Sequence, residues 1–149
     1  MHTVSTDRLH RHLVIDGGKS KTAALVIDSE GRPLARSTGP GLEMIGSPNG
    51  PELVAASLRA TLAPFDLTTP FGTVALGMNG VQAPSAEASL ALAAVSSLAP
   101  AGRYLIASDA IMTYIGALGF RPGVLVAVGT GAVILAVGTD GRPHRVDAY

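Results

Sequence analysis

The sequence predicts an α/β fold in which a mixed, five-stranded sheet is flanked by helices. Three short apolar runs separated by turn-forming residues come first, and helical patterns then alternate with further apolar runs. Aromatic residues make up only 4% of the chain and tryptophan is absent, whereas glycine occurs 18 times. Small side chains of this kind indicate that the helices pack closely on the sheet.

The opening part of the chain is predicted to form an antiparallel meander. Apolar runs at residues 12–15, 22–27 and 33–37 are expected to be strands, and a turn containing Gly31 joins the second to the third. A loop rich in glycine and proline follows over residues 38–51. Loops of this length within a domain are often functional, and we expect this one to be so.

The middle of the chain alternates between helices and strands. Apolar residues recur at helical spacing, Pro64 and Gly119 mark two helix ends, and Ser85 is a candidate N-cap. The predicted elements are, in order, helix 52–63, strand 73–78, helix 85–98, strand 104–107 and helix 109–118.

The end of the chain repeats the pattern of its beginning. Strands are expected at 124–128, 133–137 and 144–146, again joined by glycine-containing turns. A meander followed by α/β alternation is typical of a ribonuclease-H-like lobe, which we assign to residues 12–122. Residues 123–149 are then expected to be the opening strands of a truncated second lobe, and residues 1–11 a flexible N-terminus.

Composition excludes several classes of function. The charges of eleven basic and eleven acidic residues cancel, so the chain has no net positive charge that would attract nucleic acid or an anionic membrane. The absence of cysteine excludes thiolate metal sites and iron–sulfur ligation. The longest apolar stretch, residues 123–138, is too short to cross a bilayer, and the N-terminus lacks the apolar core of a signal peptide. A cytoplasmic protein is the expectation.

The first candidate site is the predicted turn between the first two strands. It contains both lysines of the chain, and its composition suits a metal-bound phosphate because glycine allows close approach and a carboxylate can bind Mg²⁺. A Walker A loop would need glycine at position 13, which is Leu13. An ordinary hairpin turn is an equally good interpretation of this segment alone. The candidate residues are Asp16, Gly17, Gly18, Lys19, Ser20, Lys21 and Thr22.

Two further candidates lie later in the chain. Gly129, Thr130 and Gly131 separate two apolar strands and could bind phosphate or sugar, although a tight turn explains the tripeptide alone at least as well. Asp109 follows a predicted strand and begins a helix. It could be a helix cap or, near a reacting hydroxyl, a general base. The residue itself does not decide between these roles.

Four motifs occur in order along the chain: Asp-Gly-Gly-Lys-Ser-Lys-Thr at 16–22, Ser-Asp-Ala at 108–110, Gly-Ala-Leu-Gly with Arg-Pro-Gly-Val at 116–124, and Gly-Thr-Gly-Ala at 129–132. Together they resemble the BadF/BadG/BcrA/BcrD-type ATPase family, which includes the N-acetylglucosamine kinases and has the actin-like ATPase fold. The resemblance implies two such lobes with ATP and Mg²⁺ between them. It implies that Asp16 organises Mg²⁺, that residues 17–22 and 129–131 contact the cofactor, that Asp109 is the base and contacts substrate, and that Thr130 lies beside substrate.

Departures from the family pattern qualify these expectations. Ala132 lacks the hydroxyl that the family usually has at the end of the Gly-Thr-Gly motif. Leu42 follows Gly-Pro-Gly at a place where the family often has an asparagine that binds an amino-sugar. Because the chain has no cysteine, it cannot belong to the branch of the family that transfers electrons through an iron–sulfur cluster.

The expected function is an ATP-dependent sugar kinase, similar to N-acetylglucosamine or glucosamine kinases and acting on an amino-sugar. The chain is expected to be an N-terminal fragment, inactive alone, whose exposed apolar strands favour a homodimer. The alternative is a non-catalytic module of the same fold that senses nucleotide or sugar.

Overall fold

The computed structural model describes residues 11–128 and 132–148, which form two compact units. The first unit ends at Ser108 and the second begins at Asp109. The sequence-based boundary between residues 122 and 123 stays a prediction, as does the flexible N-terminus, of which residues 1–10 lie outside the described ranges.

The order of the elements is the predicted one, a meander followed by alternation and then three more strands. Their bounds are β1 Arg11–Gly17, β2 Lys21–Asp28, β3 Pro33–Pro40, α1 Gly50–Leu62, β4 Thr73–Met78, α2 Ala86–Ser96, β5 Tyr104–Ser108, α3 Asp109–Leu118, β6 Gly123–Val128, β7 Ala132–Val137 and β8 Pro143–Ala148.

The first unit contains a mixed five-stranded sheet in the order β3-β2-β1-β4-β5, which confirms the predicted fold class. Strand β1 lies at the centre, where it pairs antiparallel with β2 and parallel with β4. The apolar side chains of β1 fit this position, since Leu13 and Ile15 are almost fully buried. Strands β1, β4 and β5 are parallel, so their carboxyl ends meet at one edge of the sheet.

Helices α1 and α2 cover one face of this sheet. Helix α1 buries Val54, Leu58 and Leu62, whose spacing places them on one side of the helix. Helix α2 begins at the predicted cap, because the Ser85 hydroxyl accepts a hydrogen bond from the Ala88 N–H at 3.1 Å. Within the described ranges, no helix is long and apolar enough to cross a membrane.

Strand β3 is longer than the sequence predicts. The sequence places residues 38–40 at the start of the loop, yet they continue the ladder with β2 as far as the pairing of Lys21 with Pro40. Glycine and proline are poor strand formers, but tertiary contacts hold them here. The Gly39 backbone lies against Thr61 of α1, and the Thr22 hydroxyl donates to the Pro40 carbonyl at 2.7 Å. The loop therefore begins at residue 41.

The second unit packs helix α3 against the three-stranded antiparallel sheet β6-β7-β8. Its small core centres on Ala110, Tyr114 and Leu135. The Tyr114 hydroxyl also donates to the Arg121 carbonyl at 2.6 Å, which ties the helix to the segment that precedes β6. The outer positions of β6 are exposed, with Val126 at 60%.

Arg11 joins the start of β1 to the segment between α1 and β4. Its guanidinium lies 4.3 Å from the centre of the Phe71 ring and donates to the carbonyls of Asp66 and Thr69. The Asp66 carboxylate accepts hydrogen bonds from the hydroxyl and N–H of Thr68 and from the Thr69 hydroxyl, and it lies 3.7 Å from Arg11. These donors, with the Thr68 hydroxyl the largest contributor, lower the pKa of Asp66 from 3.8 to about 2.

The lowered pKa of Asp66 predicts a contribution to stability that depends on pH. Because the folded state favours the charged carboxylate, the contribution is complete above pH 3.8 and is lost as the pH falls toward 2. Urea denaturation at pH 7 should therefore show Asp66→Asn to be less stable than the wild type, and this difference should shrink between pH 4 and pH 2. A difference that stays constant over this range would contradict the assignment.

Candidate functional site

The turn between β1 and β2 lies at the edge where the parallel strands end. The Gly18 N–H donates to the Lys21 carbonyl at 3.1 Å, which closes the turn. The Leu42 N–H donates to the Gly18 carbonyl at 2.9 Å, so the segment after β3 is bonded directly to the turn. The turn is thus held from inside and from the neighbouring loop.

The polar groups of the turn remain available to a ligand. The side chains of Asp16, Lys19, Ser20 and Lys21 are all exposed. Within the described part of the chain, the N–H groups of Lys19 and Ser20 donate to no protein acceptor and neither lysine has an ion-pair partner. Successive main-chain N–H groups together with ammonium groups form an arrangement that suits an anion.

Two glycines allow the loop to approach this turn closely. Gly17 lies against the buried Leu42 side chain, and a Cβ at Gly17 would come within 3.2 Å of Leu42 Cγ. Gly41 lies against the Lys19 peptide, where a Cβ would come within 2.6 Å of the Lys19 carbonyl carbon. Side chains at these positions would therefore separate the loop from the turn.

Thr22 differs from the other residues of the candidate turn. It is fully buried, and its hydroxyl donates to the Pro40 carbonyl at 2.7 Å. The position follows from the strand period, because Thr22 shares the buried face of β2 with Ala24 and Val26. Its hydroxyl therefore holds the end of β3, and its contact with the cofactor stays a prediction.

Asp16 lies on the sheet face opposite α1 and α2. It lines one end of a shallow pocket of about 460 Å³, whose floor is formed by Val14, Ala23 and Leu25 and whose far side carries Arg36 and Thr38. No cluster of three or more metal-ligating side chains occurs among the described residues. A single accessible carboxylate still fits Mg²⁺, which is usually held by one or two carboxylates together with substrate phosphates and water.

The remaining candidates belong to the second unit or lie outside the described residues. Asp109 is the first residue of α3 and is half-buried, and its carboxylate accepts a hydrogen bond from the Ala110 N–H at 2.8 Å. A cap would accept from the N–H two or three residues further on, so this bond to the next residue tests neither the capping role nor the role as a base. Gly129, Thr130 and Gly131, between β6 and β7, lie outside the described ranges.

The loop over residues 41–49 contains structural residues of the site that the motifs did not identify. Leu42 and Ile45 are buried, and the Ser47 N–H donates to the Met44 carbonyl at 3.0 Å. In the sequence, Leu42 stands out only as a departure from the family pattern. Its structural role could have been inferred from its position, because an apolar residue directly after Gly-Pro-Gly can be buried and so fix an otherwise polar loop.

Comparison with known proteins gives consistent findings. No family model matches the chain. The chain is 29% identical over 142 residues to N-acetyl-D-glucosamine kinase of Dictyostelium discoideum, an alignment that covers 88% of this chain and 44% of the relative. A crystal structure of a candidate N-acetylglucosamine kinase from Chromobacterium violaceum matches with a TM-score of 0.66 and 26% identity, over 93% of this chain and 48% of that one.

A second solved structure supports the same fold. A candidate N-acetylglucosamine kinase from Porphyromonas gingivalis matches with a TM-score of 0.71 and 23% identity, over 83% of this chain and 43% of that one. The fold is that of the actin-like ATPases, and the resemblance to the N-acetylglucosamine kinases is confirmed. The chain spans about half the length of the proteins that it matches.

The buried Thr22 hydroxyl predicts a specific loss of stability. Thr22→Val keeps the shape of the side chain but leaves the Pro40 carbonyl without its donor, which should lower the free energy of unfolding by about 1–3 kcal/mol. Chemical denaturation would measure this change. Thr38→Val, at an exposed position of β3, is the matched control and should change stability by less than about 0.5 kcal/mol. Equal effects of the two substitutions would contradict the assigned role of the Thr22 hydroxyl.

Proposed function

We propose that this chain carries the first phosphate-binding turn of an ATP-dependent sugar kinase that transfers phosphate to a sugar hydroxyl. The observation that carries the proposal is the β1–β2 turn, which presents main-chain N–H groups, two ammonium groups and a carboxylate at one edge of the sheet. The similarity to N-acetyl-D-glucosamine kinase supports it. Because the chain spans about half of that relative, the activity of the whole protein is part of the proposal.

Each residue of the turn would have a separate role in binding the nucleotide. The N–H groups of Lys19 and Ser20 and the ammonium groups of Lys19 and Lys21 would neutralise phosphate oxygens. Gly17 would let Leu42 pack against the turn, Gly18 would keep the main chain accessible, and Thr22 would hold the turn from beneath. Asp16 would hold Mg²⁺, which supplies charge neutralisation to the phosphates when it is bound.

Asp109 and Thr130 would contact the sugar substrate. Phosphoryl transfer needs an acceptor for the hydroxyl proton, and an aspartate at the start of a helix can supply it. In this proposal Asp109 contacts the sugar and accepts that proton, while Thr130, flanked by Gly129 and Gly131, contacts sugar or phosphate. The family resemblance supports this assignment, and Asp109 is half-buried rather than enclosed.

A second candidate function is a non-catalytic module that senses nucleotide or sugar. Ala132 favours it, because the residue lacks the hydroxyl usually found at the end of the Gly-Thr-Gly motif. A sensor needs the phosphate-binding turn but has no need for a base. Both functions therefore require Asp16 in the phosphate-binding turn, but only the kinase requires Asp109 as a base.

The substrate class, assembly and location complete the proposal. An amino-sugar is the proposed substrate, in line with the name of the curated relative.

A homodimer is proposed because Val124, Val126 and Val128 are exposed on one face of the β6-β7-β8 sheet, Val128 at 80%. The cytoplasmic location stays a prediction, and we expect the 149-residue chain to have little kinase activity alone.

Binding of nucleotide by the chain itself tests the turn. Isothermal titration calorimetry should detect binding of Mg·ATP, and Asp16→Asn should weaken the binding and remove most of its dependence on Mg²⁺. Asp28→Asn is the control, since Asp28 lies at the opposite end of β2. Binding that is the same in both variants, or absent from the wild type, would contradict the proposal.

Turnover distinguishes the kinase from the sensor. In a form of the protein that also carries the second lobe, a panel of hexoses and amino-sugars should include one that stimulates ATP hydrolysis. Asp109→Asn should then lower kcat by about 100-fold or more while leaving nucleotide affinity unchanged, because it removes the base alone. Hydrolysis that no sugar stimulates, together with intact ATP binding, would favour the sensor.

A further inference from the structure

We infer that Gly41 is a positioning residue for phosphate binding, because its lack of a side chain fixes the orientation of the peptide between Lys19 and Ser20. The inference rests on the proposed function of the β1–β2 turn and identifies what sets the geometry of that turn. Gly41 belongs to none of the four motifs that carry the family resemblance.

The contact at Gly41 is between two segments of the main chain, the loop after β3 and the β1–β2 turn. A Cβ built on Gly41 would overlap the Lys19 carbonyl, within 2.6 Å of its carbon, and would come within 3.0 Å of the carbonyl carbon of Ser20. Both groups are backbone atoms of the turn, so they cannot move aside as the end of a flexible side chain can. A side chain at position 41 must displace the turn or the loop.

The geometry of the peptide connects this contact to the ligand. The Lys19 carbonyl and the Ser20 N–H belong to one planar, trans peptide group, in which they point in opposite directions. Because the Lys19 carbonyl lies against Gly41, the Ser20 N–H points away from the loop. Any rotation that moves the carbonyl off position 41 turns the Ser20 N–H by the same angle.

Neighbouring contacts make the loop a firm support. The Leu42 N–H donates to the Gly18 carbonyl at 2.9 Å, and Leu42 and Ile45 are buried at 6% and 2% exposure. The loop backbone in turn lies against Gly50 at the start of α1, where a Cβ would come within 2.6 Å of the Ile45 carbonyl carbon. The loop is therefore fixed to the helix as well as to the turn.

Conformational freedom does not explain the glycine at position 41. Among the described glycines, the positive φ values belong to Gly31, Gly80, Gly119 and Gly141. Alanine at position 41 would therefore adopt the same backbone angles without strain, and the effect of the substitution would come from steric overlap alone. This makes Gly41→Ala a clean test of position.

The test measures binding of two probes, Mg·ATP and inorganic tripolyphosphate, by calorimetry on the 149-residue chain. Gly41→Ala should weaken both by roughly tenfold or more, because charge-assisted hydrogen bonds to the turn are lost. In ¹⁵N-labelled protein without ligand, the same substitution should shift the amide resonance of Ser20.

Two matched controls separate positioning from general damage. Gly46→Ala lies in the same loop, where a Cβ would make only an ordinary contact of 3.6 Å with Glu87, and it should change neither binding nor the Ser20 resonance. At Gly39 a Cβ would come within 3.0 Å of Thr61 Cα in helix α1, so Gly39→Ala should lower the Tm yet leave affinity within about twofold of the wild type.

The outcomes are distinct. Wild-type affinity in Gly41→Ala, or an equal loss in Gly39→Ala, overturns the positioning role and leaves the proposed function intact. Failure of the wild type to bind either probe overturns the proposed function and the inference with it. If Gly41→Ala does not fold, Leu42→Ala keeps the main-chain bond but removes the side chain against Gly17. It should weaken binding in the same direction, and unchanged binding overturns the inference.

Discussion

The close main-chain contact between the β1–β2 turn and the loop after β3 is the constraint on which the candidate site depends. Gly17 admits the Leu42 side chain, Gly41 lies directly against the Lys19 peptide, and the Leu42 N–H bonds to the Gly18 carbonyl. These contacts use the inward-facing polar groups of the turn. What remains exposed is the set of donors that an anion requires.

Burial divides the polar residues of the turn into two kinds. Thr22 is completely buried and its hydroxyl holds Pro40, whereas the side chains of Lys19, Ser20 and Lys21 are exposed and make no hydrogen bond or ion pair with protein in the described part of the chain. A buried hydroxyl with its acceptor stabilises the fold, while an exposed ammonium group contributes little to stability. The same short segment thus supplies both the support and the binding groups.

Local pattern was sufficient to predict the elements but not the contacts between them. The spacing of Val54, Leu58 and Leu62 predicted α1, and alternating apolar runs predicted the central strands. The composition of residues 16–22 predicted a turn between the first two strands. The bond from Leu42 to Gly18 and the extension of β3 to Pro40 were not predictable, because tertiary contacts there override the low strand propensity of glycine and proline.

The position of β1 in the sheet has a consequence for folding during synthesis. Strand β1 is synthesised before both of its partners: β2 follows it directly along the chain, whereas β4, at residues 73–78, comes only after β3 and α1. Until those residues emerge, β1 has one open hydrogen-bonding edge, which makes it prone to pairing with another chain. Closure of the sheet across this separation is a slow, non-local step, and the growing chain is most vulnerable to aggregation before β4 is available.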